Sequence, residues 1–224
     1  MLKENIEKVL SLIKKGNNLG EDITLVGATK TFSADVINQA ISYGLKVVAE
    51  NKVQEFREKT DLLIGAEQHF IGHLQTNKVK YIVGKVSLIH SVDSLNLAEA
   101  INKEAGKKGV IQNVLVEINI GGELSKSGFN PDNAIEAVNN VCKLPNLKVL
   151  GIMTMLPKTE NKQEISALCL KTREIFDTLR KQGLELKYLS MGMSHDYEIA
   201  IANGSNMIRL GSALFGNRNY GVNA

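Results

Sequence analysis

The sequence predicts an α/β fold, a (β/α)8 TIM-type barrel with an extra N-terminal helix. Eight short apolar runs alternate with amphipathic segments along the 224 residues, the order typical of βα repeats. Several of the runs are near-continuous in Val, Ile and Leu, as in strands that are covered on both faces. We therefore expect a single domain over residues 1–224, with an open doubly wound sheet as the alternative.

The predicted strands are short and end at polar or glycine-containing turns. They cover residues 24–28, 46–49, 69–71, 88–91, 114–118, 149–153, 188–191 and 207–210. The predicted helices between them have apolar residues at helical spacing. They cover residues 34–43, 53–63, 74–82, 94–107, 131–142, 160–182 and 196–202. Too few residues follow Leu210 for a full eighth helix, so we expect the N-terminal helix, which ends before Gly16, to cover that part of the barrel.

Composition excludes several classes of function. The net charge is only +3, aromatic residues make up 5%, and the basic residues are interspersed with acids, which argues against nucleic-acid binding. No apolar run approaches the length of a membrane span or a signal peptide. The two cysteines, Cys142 and Cys169, have no CxxC neighbour, which predicts no disulfide and favours a reducing cytoplasm. No heptad pattern favours assembly, so a monomer is expected.

Lys30 follows the first predicted strand, at the end of the barrel where active sites lie. A lysine at the end of a buried strand can lower its pKa and act as a nucleophile toward a carbonyl group. The competing interpretation is an ordinary rim lysine whose ammonium group extends into solvent. Position alone does not decide between them.

Two turns favourable to anions follow strands seven and eight, where TIM barrels often bind phosphate. Ser194 is predicted to cap the helix that starts at Asp196, and a helix start presents free N–H groups. After strand eight, Gly211 allows close backbone approach and Ser212 offers both an N–H and a hydroxyl group. The pair of turns predicts a phosphate-bearing ligand, although Ser194 could also be a plain cap.

Several further polar side chains are candidates for the site, and two of them have open assignments. Arg209 points into the predicted barrel and needs a partner, which is the ligand, Glu50 or Glu117. Asn51 either binds a ligand or caps the next helix. His69 and His73 are four residues apart but lie in a predicted strand and turn rather than on a helix, and no acidic third ligand is obvious. His90 is predicted to stand alone, so no metal site is expected.

Several motifs resemble the YggS/PROSC family of pyridoxal-phosphate homeostasis proteins. They are GATKT at residues 27–31, AENKVQE at 49–55, HFIGHLQTNK at 69–78, KSGF at 126–129, SMGMS at 190–194 and RLGS at 209–212. They occur in the same order over nearly the whole chain. One departure is Gln68, where the family usually has an aromatic residue before the histidine.

The resemblance implies a barrel like the N-terminal domain of alanine racemase, with pyridoxal 5′-phosphate held as a Schiff base on Lys30. It places the phosphate against Ser194, Gly211 and Ser212. Arg209 would face the pyridine nitrogen, and Asn51 and Met193 would line the pocket.

The implied role is to store or deliver the cofactor inside the cell rather than to catalyse a reaction. An always-charged arginine at the pyridine nitrogen discourages its protonation and weakens the cofactor as an electron sink. Pyridoxal-phosphate-dependent apo-enzymes are then candidate recipients. The alternatives are a small amino-acid racemase using the same cofactor and a cofactor-free aldolase acting through Lys30.

Overall fold

The computed structural model describes residues 1–123 and 126–216, and in this part of the chain eight parallel strands close into a barrel in sequence order. The predicted fold class is therefore confirmed. The strands are β1 (Thr24–Ala28), β2 (Val47–Glu50), β3 (Glu67–Phe70), β4 (Leu88–Val92), β5 (Gln112–Ile118), β6 (Leu147–Thr154), β7 (Tyr188–Ser190) and β8 (Met207–Leu210). Closure is direct, because Val26 of β1 is in register with Val47 of β2 on one side and with Arg209 of β8 on the other.

The α-helices surround the barrel. They are α1 (Leu2–Ile13), α2 (Ala34–Ser42), α3 (Val53–Lys59), α4 (Leu95–Lys108), α5 (Ala134–Cys142), α6 (Lys162–Lys181), α7 (Tyr197–Ala202) and α8 (Ser212–Phe215). As expected, the last helix is only a short turn, and α1 packs beside it through Ile6 and Leu214 in one buried cluster. None of the helices within residues 1–123 and 126–216 is both long and apolar enough to cross a membrane.

The segment after β3 differs from the prediction. Residues 74–82 were expected to form an α-helix, and the structure has a 3-10 helix over Thr76–Tyr81 instead. Here Lys78 N–H donates to the Gln75 carbonyl and Ile82 N–H to the Val79 carbonyl, both three residues back. Only Val79 of the 3-10 helix is buried, so little apolar contact is available to favour a longer and wider helix.

The barrel interior positions the site. Apolar side chains from several strands fill it in one buried cluster: Val26, Val47, Ala49, Leu88, Leu115, Met153 and Met207. Side chains alternate between the two faces of a strand, so Arg209 shares the inward face of β8 with Met207. By the same alternation, Lys30 and Asn51 continue the inward faces of β1 and β2 beyond the strand ends.

Candidate functional site

A cavity of about 250 Å³ opens at the C-terminal ends of the strands. All seven residues predicted for the site line it: Lys30, Asn51, Met193, Ser194, Arg209, Gly211 and Ser212. Sequence reasoning missed four further lining residues: Ala28, Ile71, Met155 and His195. Ala28 and Ile71 lie at the ends of β1 and β3 on the faces of Lys30 and His69, so strand alternation was a usable signal for them.

Lys30 lies in a turn whose backbone is held from both sides. Before it, the Thr29 hydroxyl donates to Glu50 Oε1 at 2.7 Å. After it, Thr31 has φ of +73°, a left-handed conformation that a β-branched residue rarely adopts. The Thr31 N–H donates to Glu55 Oε2 at 2.7 Å. The residue on each side of Lys30 is thus bonded to a carboxylate of the β2–α3 segment, Thr29 through its hydroxyl group and Thr31 through its N–H.

Ser194 does not cap α7, contrary to the prediction. The cap residue is Asp196, and the helix begins at Tyr197, because a tight turn from Met193 to Tyr197 precedes it. Ser194 instead faces the turn after β8. Its Oγ accepts the N–H groups of Gly211 and Ala213, both at 3.1 Å. The two predicted anion turns therefore meet through one hydroxyl group.

Arg209 is buried in the barrel interior. Its Nη1 donates to Ser190 Oγ at 2.6 Å and its Nη2 to the Thr154 carbonyl at 2.8 Å. Burial lowers the pKa of Arg209 to about 10, against the opposing charges of Glu117 and Asp196. Of the two carboxylates expected as partners of Arg209, Glu117 acts on it through its charge, which raises the pKa of Arg209.

The hydrogen bonds of Glu50 go elsewhere: its Oε1 accepts from Thr29 and Lys59, whereas Arg209 donates to Ser190 and Thr154. Glu117 is itself buried, and burial raises its pKa to about 7, helped by the charge of Asp93. Glu117 does not line the cavity.

Asn51 has a buried Oδ1 without a hydrogen-bond partner among the described residues. The cap position of α3 is Lys52, so Asn51 is not the helix cap that was one of its two predicted roles. Gly72 lies against it: a Cβ at Gly72 would be 1.8 Å from the Asn51 carbonyl oxygen. A buried acceptor of this kind needs a donor, and the cavity that Asn51 lines is the place for one.

The histidines form a different arrangement from the predicted one. His90 does not stand alone, because its Nε2 lies 3.0 Å from His69 Nδ1 inside the barrel. Burial lowers the pKa of His90 well below its usual value, so His90 takes part in this hydrogen bond as a neutral imidazole. Within residues 1–123 and 126–216 there is no group of three or more side chains that could hold a metal ion.

These features define an alanine-racemase-type (β/α)8 barrel, in which a lysine after β1 and the turns after β7 and β8 line one cavity. The family model of the alanine racemase N-terminal domain matches residues 2–219, and the chain belongs to that family, among its members of the YggS/PROSC type.

Full-length relatives support the narrower assignment. A protein of Aquifex aeolicus named pyridoxal phosphate homeostasis protein is 46% identical over 97% of this chain and 95% of its own length. The Escherichia coli protein of the same name is 34% identical over 96% of this chain and 94% of its own length. The predicted family is confirmed.

Solved structures agree with the fold. PipY of Synechococcus elongatus, described with pyridoxal phosphate bound, superimposes with a TM-score of 0.82 at 31% identity and covers 95% of this chain and 100% of its own. An alanine racemase of Clostridium difficile matches with a TM-score of 0.78 at 20% identity, over 96% of this chain and 57% of the racemase. The second match shows the shared fold alone.

Proposed function

We propose that the protein binds pyridoxal 5′-phosphate at the barrel mouth through a Schiff base on Lys30 and acts in the intracellular homeostasis of this cofactor. The observation that carries the proposal is the convergence of Lys30, Arg209 and the β7 and β8 turns on one cavity of about 250 Å³. The names of the full-length relatives and the pyridoxal phosphate described in PipY support it.

The residues present fit this group. A phosphate needs several donors, and the N–H groups of Gly211 and Ala213, with the hydroxyl groups of Ser194 and Ser212, are suited to it. In the structure, Ser194 Oγ accepts both N–H groups, which keeps the donors together at one point. The buried acceptor of Asn51 fits a hydroxyl or protonated group of a ring.

When bound, pyridoxal phosphate supplies an aldehyde that bonds to amines and a ring that withdraws electrons. The chain's own residues limit the use of this chemistry. Arg209 is fixed by Ser190 and Thr154, so it presents a permanent positive charge toward the cavity and disfavours a second proton there. Such an arrangement favours holding the cofactor over catalysis.

Glu117, whose pKa is raised to about 7, would be a suitable acid–base group, but it does not line the cavity. We therefore propose that the protein is a non-catalytic carrier of the cofactor. We also propose that it is a cytoplasmic monomer with a single domain and that it delivers the cofactor to apo-enzymes.

The test of the non-catalytic role is solvent deuterium exchange at the α-carbon of a panel of amino acids. Exchange well above that of free pyridoxal phosphate would show a racemase-type enzyme instead.

The decisive experiment is the absorption spectrum of the protein after incubation with pyridoxal phosphate, followed by borohydride reduction and peptide mass analysis. Wild type should gain the absorbance of a Schiff base and a pyridoxyl group on the peptide that contains Lys30. Lys30→Ala should lose both. The control is Lys148→Ala, an exposed lysine near the start of β6, which should behave as wild type. Unchanged absorbance in Lys30→Ala would overturn the assignment.

A further inference from the structure

Lys59 of α3 joins the two carboxylates that hold the Lys30 turn. Its Nζ lies 3.0 Å from Glu50 Oε1 and 2.8 Å from Glu55 Oε2. It also lies 3.4 Å from the Thr29 carbonyl. Each carboxylate in turn accepts a hydrogen bond from a residue next to Lys30, namely Thr29 and Thr31. One ammonium group therefore connects the supports on both sides of Lys30.

The arrangement is enclosed. The side chains of Lys59, Glu50 and Glu55 are 12%, 4% and 17% exposed. Burial alone would lower the pKa of Lys59, but its contacts with Glu55 and Glu50 raise it. A lysine held in the ammonium form is not a nucleophile toward an aldehyde. Lys59 therefore does not compete with Lys30 for a carbonyl ligand, although it is close by.

Thr31 supplies the reason for such a support. A threonine at φ of +73° is in an unfavourable conformation that persists only where surrounding contacts enforce it. Its N–H is bonded to Glu55 Oε2, the same oxygen that Lys59 contacts. Without Lys59, Glu55 loses the cation at the oxygen that accepts from Thr31. It keeps the exposed Lys52 at 4.0 Å from its other oxygen, so the turn can relax toward an ordinary conformation.

We propose that Lys59, acting with Glu50 and Glu55, is a positioning residue that keeps the Lys30 turn strained, so that the Lys30 amine is directed at the aldehyde of the bound cofactor. This inference rests on the proposed function of Lys30. It assigns to the Glu50–Lys59–Glu55 bridge control of covalent attachment, separate from recognition of the phosphate by the turns after β7 and β8.

The test compares Lys59→Met, Lys59→Arg and Glu55→Ala with wild type. Lys59→Met removes the charge and keeps the length of the side chain. Glu55→Ala removes the bond to Thr31 and leaves the pair of Lys59 with Glu50 intact, so it reports on the bridge even if Lys59→Met fails to fold. The control is Glu58→Ala, an exposed carboxylate on the same helix that contacts Gln54.

Two titrations separate positioning from folding. Pyridoxal phosphate, followed by Schiff-base absorbance, should bind about tenfold more weakly to Lys59→Met and Glu55→Ala, since releasing a strained residue is worth on the order of one decade in affinity. Inorganic phosphate should bind these variants as it binds wild type. Lys59→Arg should recover most of the loss, because it restores the cation between the two carboxylates.

The outcomes distinguish this inference from the proposed function. If Lys30→Ala keeps the Schiff-base absorbance, the proposed function itself is wrong. If Lys30→Ala loses it while Lys59→Met and Glu55→Ala both match Glu58→Ala, the positioning role is wrong. If the Lys59→Met and Glu55→Ala variants bind pyridoxal phosphate and inorganic phosphate more weakly by the same factor, the bridge has only a structural role. That result would also overturn the inference.

Discussion

The two sides of the barrel mouth are built from different groups. On the β1–β2 side, charged side chains form the structure: Glu50, Glu55 and Lys59 are linked within 3.0 Å and hold the residues next to Lys30. On the β7–β8 side, backbone N–H groups point at the neutral hydroxyl group of Ser194. The two sides are neighbours in the closed barrel, because β1 pairs with β8, and charged side chains support one while backbone dipoles form the other.

The difference reflects the task of each side. A covalent bond to a carbonyl carbon needs one amine at one place, and directional ion pairs around a strained turn can supply that. A phosphate has several equivalent oxygens and is satisfied by donors that the backbone fixes by folding alone. Pyridoxal, which lacks the phosphate, and inorganic phosphate therefore measure the two sides separately.

Gly72→Ala should disrupt the β1–β2 side and have the largest expected effect on the free energy of unfolding. The added Cβ would lie 1.8 Å from the Asn51 carbonyl oxygen and 2.7 Å from its Cα, so the backbone of Asn51 must move. We expect a loss of about 3 kcal/mol in the free energy of unfolding, measured with denaturant. Pyridoxal binding should weaken while inorganic phosphate still binds.

The matched control for this change is Gly121→Ala, where the nearest atom to an added Cβ is 3.6 Å away. It should cost less than about 1 kcal/mol. A loss in Gly72→Ala no larger than in Gly121→Ala would show that the contact between Gly72 and Asn51 is not a fixed part of this side.

Glu117 lies in β5, between β4 and β6 in the barrel, and its titration should make stability depend on pH. Its pKa is raised from 4.5 to about 7 by burial and by Asp93, so the folded state binds the proton more tightly than the unfolded state does. The stability that this provides is complete below about pH 4.5 and is lost as pH rises to about 7, by up to about 3 kcal/mol.

Glu117→Gln removes this titration, so its unfolding free energy should lack the decline that wild type shows over the same pH range. The measurement is a series of denaturant unfolding curves between pH 4.5 and pH 8. The exposed Glu99→Gln on α4 is the control and should behave as wild type. Parallel profiles for wild type and Glu117→Gln would contradict the raised pKa.

Ser194→Ala tests the β7–β8 side with an intermediate effect. The change removes the hydroxyl group that lies 3.1 Å from two backbone N–H groups. We expect pyridoxal phosphate to bind about tenfold more weakly, which corresponds to one hydrogen bond to a charged group. Pyridoxal should bind as before, since it lacks the phosphate that Ser194 is proposed to contact. Ser42→Ala, an exposed serine at the end of α2, should leave both ligands unaffected.

Much of the fold and of the cavity lining could be predicted from the sequence. Alternation of apolar runs and helical segments predicted the closed barrel. Positions in and after the strand ends, together with the family resemblance, predicted seven of the residues that line the cavity. Those predictions depend on local periodicity and on where parallel strands end, which the chain order contains.

The features that sequence reasoning missed depend on contacts between distant residues. The Glu50–Lys59–Glu55 bridge requires α3 to fold back over the turn after β1. The pair of His69 and His90 lies on neighbouring strands, 21 residues apart. Ser194 had the residue type of a helix cap, but the partner of its hydroxyl group is 17 residues further along the chain. The order of residue types along the chain does not indicate which distant residues become partners in the fold.

Thr31→Gly should have the smallest effect and addresses the cost of the strained turn. Glycine adopts a φ of +73° without the steric cost that threonine has there, roughly 1–2 kcal/mol, but it loses more backbone entropy on folding, roughly 0.5–1 kcal/mol. We therefore expect a net gain in stability of about 0.5 kcal/mol. Thr178→Gly within α6, where the backbone is regular helix, should instead lose about 0.5–1 kcal/mol. If both changes destabilise the protein equally, Thr31 is not strained. The ion pairs of the β1–β2 side would then not be needed to hold a strained turn.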